Sequence, residues 1–201
     1  MEIAGRCRDL WRDQLVELRA RTNASPPRRM QGVCAGFRPG SSALDADGTM
    51  SNIEHNIVPT APLVDAADPD AWHALDPPPS IATRRARRID VRVDGDQFVV
   101  DAMFRDNSWQ PDASEIAVHE YSIAATADRA TGVLTSVHAE PRVLPYRECP
   151  AAAPNASRLV GQPLRGLRAS VLATLRDTDC CTHLNDALRS LAEVPLLAAQ
   201  L

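Results

Sequence analysis

The chain has 201 residues, of which 44% are hydrophobic and 24% are charged, so its composition is that of a globular protein and not of a disordered one. All 22 lysine-or-arginine positions are arginine, which excludes a lysine Schiff base and a complete phosphate-binding P-loop. With a formal net charge of −4, the chain lacks the basic surface that binds nucleic acids and anionic membranes. We therefore expect no nucleic-acid partner, no membrane partner and no cofactor.

The N-terminus and the cysteines indicate the compartment. Residues 1–23 are rich in charge and contain no apolar run that fits a secretory signal, and no later segment approaches the ~18 apolar residues of a membrane-spanning helix. The five cysteines are odd in number and unevenly spaced, unlike the disulfide framework of a small secreted domain. The sequence predicts a reduced, cytoplasmic protein.

Residues 1–82 are predicted to be an N-terminal helix and a loop-rich arm. Apolar residues recur with a helical period over residues 5–21, and prolines then interrupt regular structure over residues 24–82. A connection of this length is either functional or a linker. We treat it as separate from an α+β domain at residues 83–201, and we expect that it could join copies of the chain into a homo-oligomer.

Four β-strands are predicted next. Apolar and polar residues alternate from Arg87 onward, and Asp94-Gly95 is a strong signal for a hairpin turn. A second turn at residues 129–132 separates the last two strands. Short turns between sequential strands favour a four-stranded antiparallel meander, with strands at residues 87–94, 98–104, 115–127 and 133–143.

About three helices are predicted after the strands. An alanine-rich segment runs from Cys149 to Gly161, a second helix runs from Pro163 to Asp177, and a third has Thr182 as its predicted N-cap. Four strands followed by three helices indicate an α+β fold, with the helices packed on one face of the sheet.

Cysteine, histidine and a predicted helix N-terminus coincide near residue 182. A helix N-terminus stabilises a thiolate, so Cys181 fits a nucleophile or a metal ligand, and His183 in the first turn fits an acid or base. Asn185 adds an amide to the same turn and is a candidate for substrate binding. In the alternative interpretation, Cys181 is a small buried apolar residue and His183 makes a structural hydrogen bond.

Other candidate residues lie on the strands and at the strand-to-helix junction. His119 and Tyr121 share one strand face, where they could supply a base and a hydroxyl, although a single strand histidine is more often structural. Arg85 and Arg87 also share a face and could bind a carboxylate or phosphate, although such runs are more often solvated edge strands. Cys149 is predicted either to join Cys181 at a substrate pocket or to be a buried structural thiol.

Five short motifs occur in an order that resembles a bacterial protein family: Arg84–Ile89, the strand with His119, Pro145–Pro150, Leu159–Gly161 and Cys181–Leu184. The family is known as a domain of unknown function, number twenty-eight eighty-nine. The resemblance covers about residues 83–195 and brings no established activity. It implies that Cys149, Cys181 and His183 are marked positions of the family, and it supports one shared pocket.

Three functions are compatible with these residues. We favour a small cofactor-independent lyase, isomerase or hydrolase that acts on a small carbonyl or acyl substrate, with histidine acid–base chemistry or a cysteine nucleophile. Its expected catalytic residues are His119, Cys181, His183 and Tyr121, with Arg85, Arg87, Cys149 and Asn185 in substrate binding. The second function is a zinc or iron site built from Cys149, Cys181, His183 and His119. The third is a non-catalytic binding or assembly module.

Overall fold

The computed structural model of the chain describes residues 29–51, 58–60, 63, 67–73, 76, 78, 82–109 and 114–201. The helix predicted over residues 5–21 lies outside these ranges. Within them, no helix is both long enough and apolar enough to cross a lipid bilayer.

An antiparallel sheet is the frame of the fold, with β1 at Val58–Pro59, β2 at Thr83–Asp94, β3 at Gln97–Trp109, β4 at Glu115–Asp128 and β5 at Leu134–Val143. Strands β2, β3 and β4 are neighbours in that order, and β1 and β5 both pair with the other edge of β4. The predicted four-stranded meander is confirmed, and β1 adds two residues to its edge.

Strands β2 and β3 extend beyond their predicted ends. β2 begins at Thr83 and not at Arg87, and β3 continues past Phe104 to Trp109. The two extensions pair with each other along their whole length, with Thr83 opposite Ser108. Because each extension satisfies backbone hydrogen bonds of the other, the charged residues before Arg87 and after Phe104 also belong to the sheet.

Three α-helices follow the sheet, with α1 at Leu167–Thr174, α2 at Thr182–Ser190 and α3 at Val194–Ala198. The segment predicted as the first helix is instead a 3-10 helix, Cys149–Leu159, which contains Pro154. Proline has no N–H to donate and breaks the α-helical ladder. The N-cap of α2 is Cys181 and not Thr182 as predicted.

The core lies between the helices and one face of the sheet. Its largest fully buried side chains include Phe104 and Tyr121 from the sheet and Leu184 and Leu188 from α2. Phe37, which belongs to the predicted arm, is 1% exposed and joins the same cluster. Part of the arm therefore packs into the core of the domain.

Candidate active site

Three polar residues form a row across the sheet. Arg85 of β2 is opposite Asp106 of β3, and Asp106 is opposite His119 of β4. Directly opposed residues of antiparallel strands point to the same face of the sheet. Asp106 is 0% exposed and His119 is 1% exposed. The sheet register therefore places a carboxylate beside an imidazole in the interior.

A β-bulge lies at one end of this row. Asp106 pairs with His119 but Asn107 pairs with Ala117, so Val118 is an extra residue in β4. A bulge bends its strand and re-aims nearby side chains, and bulges are over-represented next to active sites. The irregularity here is immediately adjacent to His119.

The first turn of α2 brings a second histidine onto the row. The rings of His183 and His119 are stacked, with centroids 3.6 Å apart and planes 15° apart. His183 Nε2 is 3.4 Å from Asp106 Oδ2. On the opposite side of the ring, Nδ1 is 4.0 Å from Cys181 Sγ and 3.4 Å from Thr182 Oγ1. His183 thus lies between a thiol and a buried carboxylate.

The two adjacent cysteines have different surroundings. Cys181 is the N-cap of α2, where the backbone N–H groups of the first turn and the positive end of the helix dipole are close. For Cys180, burial raises the pKa of the thiol, and the carboxylates of Asp177 and Asp179 raise it further. The environment of Cys180 therefore opposes a thiolate, whereas Cys181 is the thiol at the start of the helix.

Arg85 holds the buried carboxylate in place. Its Nε donates to Asp106 Oδ1 at 2.8 Å and its Nη2 donates to Oδ2 at 2.7 Å, which is a bidentate pair. The hydrogen bonds to Asp106 are the largest cause that raises the pKa of the Arg85 guanidinium. Arg85 is 40% exposed in its side chain, so the row runs from the interior to the protein surface.

A second carboxylate lies at the surface end of the row. Asp186 Oδ2 is 3.0 Å from Arg85 Nη1 and 3.7 Å from Arg87 Nη1. Arg85 and Arg87 therefore face the same side, as their alternation predicts, and each contacts a carboxylate. In the structure both carboxylates that they contact, Asp106 and Asp186, belong to the chain itself.

Sequence reasoning missed Asp106. The strand that contains it was predicted to end at Phe104, before four successive polar residues. The hairpin signal at Asp94-Gly95 was not sufficient, because the residue of β3 that faces Arg85 depends on which two residues form the turn. A two-residue turn at Asp94-Gly95 would place Phe104 opposite Arg85. The observed turn residues are Gly95 and Asp96, so Asp94 pairs with Gln97 and Arg85 pairs with Asp106.

Three of the other predicted residues have mainly structural contacts. Tyr121 is 0% exposed and opposite Phe104, two residues from His119 on the same face. Asn185 Nδ2 donates to the carbonyl oxygen of Leu175 at 2.9 Å, just beyond the end of α1. Cys149 begins its 3-10 helix and lies against Gly36, where an added Cβ would be 2.7 Å from the sulfur.

Two histidines and one carboxylate could hold a metal ion. One ligand atom each from Asp106, His119 and His183 can be chosen so that all lie within 4.8 Å of one another. Two histidines and a carboxylate are a known ligand set for zinc and for non-haem iron(II). Asp106 replaces Cys149 and Cys181, which the sequence-based hypothesis named as metal ligands together with the two histidines.

A family model described as "Protein of unknown function (DUF2889)" matches residues 83–197. The chain belongs to this family. The resemblance seen in the sequence is thereby confirmed. No curated protein and no solved structure matches the chain.

The DUF2889 region contains every residue of the site. Arg85 and Asp106 lie near its start, and Cys181 and His183 lie near its end. Residues 29–51, which pack against Cys149 and Cys180, precede it. The site therefore belongs to the DUF2889 domain, and the preceding segment covers one side of that domain.

Proposed function

We propose that the protein is a small thiol-dependent hydrolase, in which Cys181 is the nucleophile, His183 is the acid and base, and Asp106 orients the imidazole. The observation that carries the proposal is the position of His183, 4.0 Å from Cys181 Sγ and 3.4 Å from Asp106 Oδ2. A nucleophile, a base and a carboxylate in this order recur on unrelated folds that catalyse acyl transfer.

The reaction follows from these contacts. His183 Nδ1 accepts the thiol proton while Nε2–H donates to Asp106, whose charge stabilises the imidazolium. The sulfur attacks the carbonyl carbon of a small acyl substrate, and the oxyanion that forms is stabilised by N–H groups at the start of α2. The leaving group departs with the proton from His183. Water then hydrolyses the thioester with His183 again as base, which regenerates the thiol.

The other residues of the site support this unit. His119 stacks on His183 and limits the rotation of its ring. Arg85 holds the Asp106 carboxylate in place through its bidentate pair. Arg87 and Asp186, which are 44% and 27% exposed, form the solvent edge where a small polar substrate would arrive. A thiol nucleophile requires reduced cysteine, which is consistent with a cytoplasmic location.

The test is a comparison of thiol reactivities by alkylation and peptide mapping. We expect iodoacetamide to modify Cys181 before Cys180 at neutral pH, and a His183→Gln variant to lose about 10²-fold in the Cys181 rate. His138→Gln is the matched control, because His138 is an exposed histidine of the same domain. Equal rates for Cys181 in the wild type and in His183→Gln would refute the nucleophile assignment.

A metal centre is the second candidate function. The separation of 3.4 Å between Asp106 Oδ2 and His183 Nε2 is close to the spacing of two ligands on one tetrahedral ion with bonds of about 2.1 Å. Three protein ligands would leave an open position for water or substrate. Arg85 would then be the outer partner that orients the ligating carboxylate.

The two candidates require different roles of His183 Nε2, which donates a hydrogen bond to Asp106 in the first and binds the ion in the second. Elemental analysis of the purified protein, with thiol titration before and after chelation, separates them. Near-stoichiometric zinc or iron that disappears in His119→Gln supports the metal centre. Absence of metal together with fast alkylation of Cys181 supports the hydrolase. If the protein has neither bound metal nor a fast-reacting thiol, a binding module is favoured.

A further inference from the structure

Two buried thiols meet where the segment before the family domain packs on it. Cys34 is 4% exposed and Cys149 is 3% exposed, and both are present as thiols. Cys34 is the N-cap of a 3-10 turn, Ala35–Phe37, and Cys149 is the first residue of the 3-10 helix at Cys149–Leu159. The two residues are 115 positions apart in sequence, so only tertiary packing brings them together.

Gly36 marks the place where the sulfurs converge. A Cβ built on Gly36 would lie 2.7 Å from Cys149 Sγ and 3.8 Å from Cys34 Sγ. Both sulfurs therefore border the space that a side chain at position 36 would occupy. Gly36 does not have a positive φ, so the reason for glycine here is space and not backbone conformation.

Two neighbouring contacts hold the two segments together. Ser42 donates to the Glu148 carboxylate through its backbone N–H at 3.0 Å and its hydroxyl at 2.8 Å. The rings of Phe37 and Tyr146 are 5.8 Å apart. These contacts lie just before Cys149 in sequence and hold the segment that contains Cys34 against it. A disulfide would require the two sulfurs to close to about 2.05 Å.

We propose that Cys34 and Cys149 form a reversible disulfide when the protein meets a hydroperoxide. One thiolate attacks a peroxide oxygen, the O–O bond breaks, and a sulfenic acid and water form when the oxidant is hydrogen peroxide. The second thiol then attacks the sulfenic sulfur, the S–O bond breaks, and a second water leaves. Two thiols and one peroxide thus give one disulfide and two waters, and a dithiol reductant restores the thiols.

The disulfide would connect two parts of the chain that are otherwise held together by non-covalent contacts. The backbone N–H of Ala35 donates to the carbonyl oxygen of Cys180 at 2.7 Å, next to the proposed nucleophile Cys181. Oxidation would therefore fix residues 34–37 against the wall of the site. The proposal rests on the Cys34–Cys149 geometry and is independent of the hydrolase function.

Tryptic mapping tests the proposal directly, because the chain has no lysine and each cysteine of the pair falls on its own peptide. Trypsin does not cut before Pro39, so Cys34 lies on residues 30–84, while Cys149 lies on residues 148–158. After peroxide treatment and trapping of remaining thiols, we expect these two peptides to be linked in the full-length wild-type protein and to separate after reduction. Cys180 and Cys181 share a third peptide, residues 177–189, and serve as the internal control.

Variants check the assignment. Cys34→Ser and Cys149→Ser should each abolish the linked peptide, and Cys180→Ser should retain it. Linkage of residues 30–84 to residues 177–189, or complete alkylation of Cys34 and Cys149 after peroxide treatment, would overturn the proposal. Because the wild-type map alone gives these outcomes, the conclusion stands even if a serine variant does not fold.

Discussion

His119 and His183 stack face to face, with ring centroids 3.6 Å apart, although one belongs to the middle of β4 and the other to the first turn of α2. Both rings are buried, and the contact fixes the start of α2 over the row that contains Asp106. The position of the Cys181 thiol, two residues before His183, therefore depends on the sheet as well as on its own helix.

Replacement of His119 by phenylalanine distinguishes the two candidate functions. His119→Phe keeps an aromatic ring for stacking but removes both nitrogen atoms. If His119 only positions His183, we expect Cys181 to keep its alkylation rate within about threefold, a change of less than 1 kcal/mol. If His119 is a ligand, metal content should fall to background. A loss of Cys181 reactivity in a metal-free protein would contradict the positioning role.

Removal of Arg85 should destabilise the fold strongly. Arg85→Met leaves the Asp106 carboxylate buried without its cation, which typically costs about 3 kcal/mol or more in the free energy of unfolding. Arg87→Met is the matched control, since Arg87 is 44% exposed and its contact with Asp186 is longer at 3.7 Å; we expect about 1 kcal/mol or less. Urea unfolding measures the loss of stability in both variants. Equal losses would show that the bidentate pair with Asp106 contributes no more than the longer contact between Arg87 and Asp186.

A methyl group at Gly36 should clash with Cys149. Gly36→Ala is expected to lower the free energy of unfolding by about 1–3 kcal/mol, because the new Cβ would be 2.7 Å from the sulfur. Adding Cys149→Ala should recover part of this loss by removing the sulfur. Gly166→Ala is the control, since its nearest atom would be Pro163 Cγ at an ordinary 3.7 Å. No recovery in the double variant would mean that the strain lies elsewhere.

Acid should loosen the segment that contains Ser42. Burial acts to raise the pKa of Glu148, but the hydrogen bonds from Ser42 outweigh it, so the pKa lies below its ordinary value. A lowered pKa in the folded state means that the stabilisation is present above the unfolded pKa of about 4.3 and is lost as the pH falls through the folded value. The loss should be about 1 kcal/mol.

The measurement is the urea midpoint of the wild type and of Glu148→Gln from neutral pH to about pH 3. The wild type should be the more stable at neutral pH, and the difference should shrink as Glu148 is protonated. A difference that is constant over the whole range would show that the charge of Glu148 does not contribute. Hydrogen exchange of residues 29–51 would report whether the change is local.

The sequence predicted the parts of the fold that depend on local signals. The Asp94-Gly95 turn and the alternation on either side of it predict a hairpin, and β2 and β3 form one. The end of β3 was not predictable from propensity, because a polar residue such as Asp106 is buried only when Arg85 pairs with it across the sheet. Propensity describes single residues, whereas burial of this charge is a property of the pair.

The site was predicted in part for the same reason. Cys181 and His183 are close in sequence, so their proximity follows from the start of one helix. The contact between His183 and His119 joins residues 64 positions apart, and nothing local in the sequence indicates it. Phe37 was assigned to an arm because prolines and glycines surround it, yet it is 1% exposed, since residues 34–37 fit against Tyr146 and Cys149.

The row of Arg85, Asp106 and His119 spans three strands, and this has a consequence for biosynthesis. A shift of one residue in either pairing would turn side chains to the opposite face and separate the carboxylate from the imidazole. All three residues are synthesised well before Cys181 and His183, so the strands can pair in their final register before the proposed nucleophile, Cys181, has been made. Cys181 and His183 are then added last, to a sheet that is already correctly paired.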